Sequence, residues 1–329
     1  IMFYTSTIIG TLISTSSYSW IGMWMGLEIN LLSIIPLMSS SNNQLSSEAS
    51  MKYFITQAMA SSILILSMIM MKMKMYTQNP NSIEIITNTA LFTKMGAAPF
   101  HFWFPEVMEG LNWTNCFIMM TWQKIAPMIM TMYMNTQQKL LTMVIIASIT
   151  ISGIIGMNQT SMRKIMAYSS INHLGWMLSS INSNEPVWMK YLIIYSTMTF
   201  NLIIVMKKMN MFHAKQMIQM MSMNKSIKLM FSMNFLSMGG LPPFLGFFPK
   251  WITINNLETQ NMTLMSTMLV ISTLMTLYFY VRLVFSSMTL NINEMNQKIN
   301  KNLTPKWMMS MNMLTLMGIP ICFMLTNLT

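Results

Sequence analysis

Apolar runs of roughly twenty residues recur along this sequence, separated by polar or Pro/Gly-marked breaks. That is about the length an α-helix needs to cross a hydrocarbon layer ~30 Å thick. The runs fall near residues 3–19, 20–38, 52–73, 84–104, 113–134, 140–157, 163–181, 187–207, 227–249, 261–286 and 307–326. They predict an all-α polytopic membrane protein of about eleven transmembrane helices. The tightest connection is expected between the first two, around Ser17 and Ser19. Charge excludes a soluble enzyme: only 8% of the 329 residues are charged, against about 25% in soluble domains. All eight acids are glutamates.

Methionine occurs 48 times, whereas arginine stands only at Arg163 and Arg282. Met replaces Leu in a lipid-facing helix at little cost, but packing gives no reason for so many. An AT-rich genome that reads ATA as methionine does, and it points to an invertebrate mitochondrial gene. The net charge of +11 does not suggest nucleic acid, because the basic residues are spread over inter-helix loops without aromatic-interleaved patches. Their bias sets topology instead. Lys52, Arg163, Lys164, Lys207, Lys208, Lys215, Lys225, Lys228, Lys298, Lys301 and Lys306 fall on the N-terminal side, and Lys72, Lys74, Lys139 and Lys190 on the other. The N-terminus is therefore expected in the matrix and the C-terminus in the intermembrane space.

Two helices are expected to be broken, and they resemble each other. Met95-Gly96-Ala97-Ala98-Pro99-Phe100-His101-Phe102-Trp103-Phe104-Pro105 echoes Met238-Gly239-Gly240-Leu241-Pro242-Pro243-Phe244-Leu245-Gly246-Phe247-Phe248-Pro249, with Gly96 and Gly239 paired 143 positions apart. Each motif falls in the fourth helix of a five-helix block. Five is odd, so the second block is inverted, an architecture of ion-coupled transporters. The expected divisions are 1–135 and 136–287 for the repeats, then 288–329 for a loop and a last transmembrane helix. Gly and Pro in mid-membrane free backbone groups that only protein or a polar cavity can satisfy; a simple kink is the bland alternative.

Few charges stand inside the apolar runs. Glu28 lies within Trp20–Pro36, where a lone carboxylate costs ~2.5–3.5 kcal/mol or more. It is either protonated or paired, and its natural partner is Lys94, directly before the first break. Lys124 sits mid-helix with no loop near it; a desolvated lysine is a usable proton carrier near neutral pH. Lys250 follows the second break and fits either that role or snorkelling to the interface. His173, amid Ser169, Ser170 and Asn172, fits a proton relay or a satisfied core histidine. His101 fits a cap on freed carbonyls, and His213 a solvated loop.

Redox chemistry within this chain is not expected. Cys116 and Cys322 both lie in apolar stretches, and two cysteines cannot hold an iron–sulfur cluster. Three scattered histidines cannot ligate paired haems, and no G-x-G occurs, so the dinucleotide fingerprint is missing. Glu106 and Glu109 are expected in a short connecting loop.

The strings Trp24-Met25-Gly26-Leu27-Glu28-Ile29-Asn30, Lys94-Met95-Gly96-Ala97-Ala98-Pro99-Phe100-His101-Phe102-Trp103, Ser169-Ser170-Ile171-Asn172-His173-Leu174-Gly175-Trp176 and Gly239-Gly240-Leu241-Pro242-Pro243-Phe244 closely resemble the antiporter-like membrane-arm subunits of respiratory complex I. The resemblance covers essentially the whole chain. It implies two inverted five-helix repeats and a mitochondrial inner-membrane location. The implied role is proton translocation coupled to electron transfer from NADH to ubiquinone. NADH, flavin, iron–sulfur clusters and ubiquinone would be bound by other subunits, with none in this chain. The implied partners are other membrane-arm subunits and membrane lipids. By motif, Glu28 matches the family's buried acid, Lys94 its partner, Lys124 the central lysine and Lys250 the second broken-helix lysine; His173 joins them as a relay candidate from its setting. The alternatives are a stand-alone cation/proton antiporter, which usually needs a carboxylate cation site, and a purely structural spacer.

Overall fold

The computed structural model describes residues 2–40, 43–73, 80–134, 137–181, 187–216 and 225–289. They form thirteen helices and an isolated bridge between Ser161 and His213, with no strand among the described residues. Helix is what apolar runs must become in lipid, where every backbone N–H and C=O needs a partner within its own segment. Hydroxyl side chains fit by bonding back to the preceding turn: Ser67 donates to Leu64 O at 2.6 Å, Thr131 to Met128 O at 2.7 Å and Ser148 to Ile145 O at 2.8 Å.

Contacts divide the chain into two compact units, Ile1–Ser148 and Ile149–Thr329. The first holds α1 (Met2–Ser16), α2 (Trp20–Met38), α3 (Gln44–Lys72), α4 (Pro80–Met95), α5 (Trp103–Gly110), α6 (Trp113–Met120) and α7 (Trp122–Tyr133), and α8 (Gln138–Met157) crosses the division. The tight link between α1 and α2 is as expected, and Ser19 Oγ accepts from Gly22 N at 3.2 Å to start α2. The two helices then meet at their backbones: a Cβ on Gly26 would lie 2.5 Å from Ser14 N and 2.8 Å from Gly10 O. Small residues allow such close approach where lipid supplies no hydrophobic drive between helices.

The second unit continues with α9 (Met162–Ser179), α10 (Val187–Lys208), α11 (Lys225–Gly239), α12 (Phe247–Thr259) and α13 (Thr263–Thr289). α9 is its central helix, packed against α10, α12 and α13 and buried almost all round. That helix carries the polar residues Tyr168, Asn172 and His173, all enclosed by protein.

Five described helices are long and apolar enough to cross a bilayer: Trp20–Met38, Gln44–Lys72, Gln138–Met157, Val187–Lys208 and Thr263–Phe285. Several sequence boundaries move. α3 begins at Gln44, eight residues before the expected start, and the runs at 84–104 and 227–249 each resolve into two helices. The run 113–134 is itself divided at Thr121, whose Oγ1 bonds back to Phe117 O at 2.8 Å. Glu106 and Glu109 lie in helix α5 rather than in a loop, and Glu106 meets Lys52 at 2.9 Å. The expected helix 307–326 lies outside the described residues.

Candidate functional site

Both expected breaks are Schellman caps. After α4, Gly96 takes φ +73°, its N–H donates to Thr93 O at 3.2 Å, and Ala97 N donates to Phe92 O at 3.1 Å. After α11, Gly240 takes φ +83°, its N–H donates to Ser237 O at 3.0 Å, and Leu241 N donates to Leu236 O at 3.4 Å. Glycine is the residue for this left-handed position, and the bond pair satisfies carbonyls orphaned by the helix end. The structural counterpart of Gly96 is therefore Gly240, not Gly239. Sliding the comparison one position, to 144, also aligns Pro99 with Pro243, Phe100 with Phe244, Phe104 with Phe248 and Pro105 with Pro249.

The second half-helix completes each cap with a side chain. Trp103 Nε1 donates to Thr93 O at 3.1 Å, and Lys250 Nζ donates to Gly239 O at 2.8 Å. Lys250 thus ends on a backbone carbonyl within its own unit. It is buried, its ammonium sits at the carbonyl end of α11 where the helix dipole favours a cation, and it lies 5.8 Å from the Trp176 ring centroid.

In the first unit Lys94 occupies the last turn of α4 and Lys124 the first turn of α7. Both are buried, Lys124 to 1% exposure. With Tyr53, Trp103, Phe104 and Gln123 they line a cavity of about 10 Å³, the threshold for holding a single water. The Lys124 ammonium stands 5.7 Å from the Phe104 ring centroid, a cation–π placement. Gln57 Nε2 reaches the Lys94 carbonyl at 3.4 Å.

Glu28, on α2, is half-buried, and its charge acts on both Lys94 and Tyr53. The expected Glu28–Lys94 contact is not closed. Its Oε1 is buried without a hydrogen-bond partner, and the contact ion pairs among the described residues join Lys52 to Glu48 and Glu106 instead.

His173 is buried on α9, with Nδ1 2.8 Å from Tyr191 Oη and its ring 4.9 Å from that of Tyr195. His101 lies in the first break with Nδ1 3.4 Å from Pro99 O, on a carbonyl as expected. Among the described residues no three His, Cys, Asp or Glu side chains gather as a metal site.

Residues 17–276 match the family described as the NADH:quinone oxidoreductase/Mrp antiporter transmembrane domain. The NADH-ubiquinone oxidoreductase chain 2 of Anopheles gambiae is 49% identical over 310 residues, covering 93% of this chain and 90% of its own. The chain 2 of Locusta migratoria is 45% identical over 296 residues, covering 89% and 86%. The chain belongs to the NADH-ubiquinone oxidoreductase chain 2 family. The same fold appears in respiratory complex I from Thermus thermophilus, with a TM-score of 0.83 at 20% identity over 95% of this chain and 76% of that one.

Two functional neighbours escaped the sequence reading. Asn30 and Gln123 form a reciprocal amide pair, at 3.1 and 2.9 Å, tying α2 beside Glu28 to α7 beside Lys124. An amide two positions from Glu28 and another next to Lys124 were the available signals, but nothing in the spacing pairs them. Tyr191 likewise carried no signal, since only the fold sets it on His173, 18 positions away.

Proposed function

We propose that this chain is a proton-translocating membrane-arm subunit of NADH:ubiquinone oxidoreductase in the mitochondrial inner membrane, assembled with other membrane-arm subunits. The redox groups of the enzyme then belong to those partners. The observation that carries the reading is the cavity of about 10 Å³ shared by buried Lys94 and Lys124 beside a broken helix. Two ammonium groups facing one water-sized space repel each other strongly where the surroundings are poor in water. Glu28 decides how much of that repulsion is felt. Near Lys94 it compensates the charge and lets Lys124 hold a proton; withdrawn, it leaves Lys94 to drive that proton off. A charge change elsewhere in the enzyme that moves Glu28 would thereby move a proton. His173 with Tyr191, and Lys250 on Gly239 O, supply protonatable groups in the second unit.

The two Schellman breaks 144 positions apart support two inverted repeats, 1–135 and 136–287. The eleven apolar runs of the sequence and the bias of lysines support a reading with the N-terminus in the matrix and the C-terminus in the intermembrane space. Lys124→Met and Glu28→Gln, each in the assembled enzyme, are expected to lower protons moved per electron and coupled turnover. An unchanged ratio in both refutes the mechanism. Migration of the chain in a small dimer on a native gel, apart from any NADH-oxidising assembly, would instead favour a stand-alone antiporter.

A further inference from the structure

Arg282 raises an electrostatic problem that the described residues do not solve. It is exposed on α13 and falls inside the apolar span Thr263–Phe285. An arginine there is costly unless something neutralises or hydrates it. Its helix-surface neighbours at i−4 and i+3 are Tyr278 and Phe285, exposed to 57% and 62%. Among the described residues it has one acceptor, Met157 O at the end of α8, at 3.3 Å. No carboxylate meets it among the described residues.

Arg282 borders a half-open cleft of about 460 Å³, lined also by His213, Lys215, Ile165, Phe279 and Leu283. Among the described residues no acid lines it. The volume lies within the ~300–1,000 Å³ range of small-molecule sites, more than a bare ion needs. The loop carrying His213 and Lys215 is fixed in place. Met162 N donates to Phe212 O at 2.9 Å and Ala214 N to Thr160 O at 3.0 Å. Gln216 Oε1 accepts from Phe212 N and His213 N at 2.8 and 3.1 Å, and the Arg163 guanidinium stacks 4.3 Å from the Phe212 ring centroid.

We propose that this cleft seats one anionic phospholipid, its phosphate held by Arg282, Lys215 and His213 and its acyl chains against the apolar side of α13. Three donors, an apolar wall and exposed aromatic flanks match an amphiphile with a negative head. A free aqueous anion would gain nothing from Phe279, Leu283, Tyr278 or Phe285. Lys215 also belongs to the lysine-rich side expected from the sequence, and basic pockets between helices on such a side bind anionic headgroups. The bound lipid would neutralise Arg282 and tie together the ends of α8 and α13 and the loop before α11.

Native mass spectrometry of the delipidated full chain, titrated with phosphatidylglycerol and separately with phosphatidylcholine, tests this. One phosphatidylglycerol is expected to be retained in preference to phosphatidylcholine. Arg282→Gln should weaken it by about tenfold, the worth of a charge-assisted hydrogen bond, and Lys215→Gln by about fivefold. Arg282→Lys, which keeps the charge, should fall between wild type and Arg282→Gln. Lys215 is on an exposed loop, so its variant decides the matter if Arg282→Gln does not fold. Equal retention of the two lipids, or wild-type affinity in Lys215→Gln, overturns the proposal. So does displacement of the lipid by millimolar inorganic phosphate, or a neighbouring subunit's carboxylate seen against Arg282 in the assembled enzyme.

Discussion

Adjacent glycines at the second break should behave in opposite ways when each is changed to alanine. Gly239 ends α11, and a Cβ there would rest 3.6 Å from Leu277 and Tyr280, ordinary contact. Gly240 has φ +83°, and its Cβ would stand 2.8 Å from Lys250 Nζ and 2.9 Å from Lys250 Cδ. A left-handed non-glycine residue costs roughly 1–2 kcal/mol. The lysine can swing aside, but doing so breaks its 2.8 Å bond to Gly239 O, worth about 1.5–3 kcal/mol for a charged donor. Together Gly240→Ala costs about 2.5–5 kcal/mol, roughly a hundredfold or more in the population of the intact break. The assay is coupled NADH oxidation and proton uptake by the assembled enzyme in proteoliposomes, with assembly followed on native gels. Gly239→Ala should stay within about twofold of wild type, since alanine also favours the helix. Gly240→Ala should lose at least about tenfold in coupled turnover. Equal effects, or a larger effect at Gly239, would refute both the register of 144 and the role given to the lysine–carbonyl bond.

Two further outcomes are expected. Tyr191→Phe removes the partner 2.8 Å from His173 Nδ1; if His173 relays protons, coupled turnover falls by about tenfold while thermal stability drops by only ~1 kcal/mol, whereas a purely structural histidine changes stability alone. Asn30→Ala and Gln123→Ala each strand the other amide, costing ~1–3 kcal/mol of enzyme stability, and a double-mutant cycle followed by thermal inactivation should show the pair losing less than the sum of the singles.

The lipid-scale apolar runs made the helical class legible, and Gly next to Pro marked where two helices would break. Helix ends were less legible. α3 starts at Gln44 because Ser46, Ser47 and Ser50 bond back to preceding carbonyls, so a polar stretch can be helical where hydropathy says loop. The division at Thr121 has no Gly or Pro beside it; a hydroxyl bonded to Phe117 O is invisible to periodicity. In the site, Lys94 and Lys124 were readable as charges in apolar runs, but 30 positions of sequence separate them and only tertiary packing puts them on one cavity. Counting from Gly239 gave 143 because glycine content alone does not say which of two neighbours takes the positive φ. The cap bonds do.

That register exposes how the two halves hold a cation. At 144, Lys94 corresponds to Met238 and Lys250 to Glu106, so neither lysine has a lysine counterpart. Yet Lys94 stands in the last turn of α4, and Lys250 reaches back to the last carbonyl of α11. Each break thus has a lysine at the carbonyl end of its first half-helix, in one case a residue of that helix's last turn and in the other a side chain reaching back from the helix that follows. A helix carbonyl end favours a cation by ~0.3–1 kcal/mol, up to about 2 when partly buried, without adding a second titratable group. A lysine stabilised by a carboxylate would leave a buried anion behind on giving up its proton, a severe penalty. A lysine on a carbonyl leaves only a neutral amine beside a neutral acceptor. Under the proposed function, Lys250 would release and regain a proton with no compensating ion, whereas Lys94 would be the position at which a moving Glu28 carboxylate exerts control.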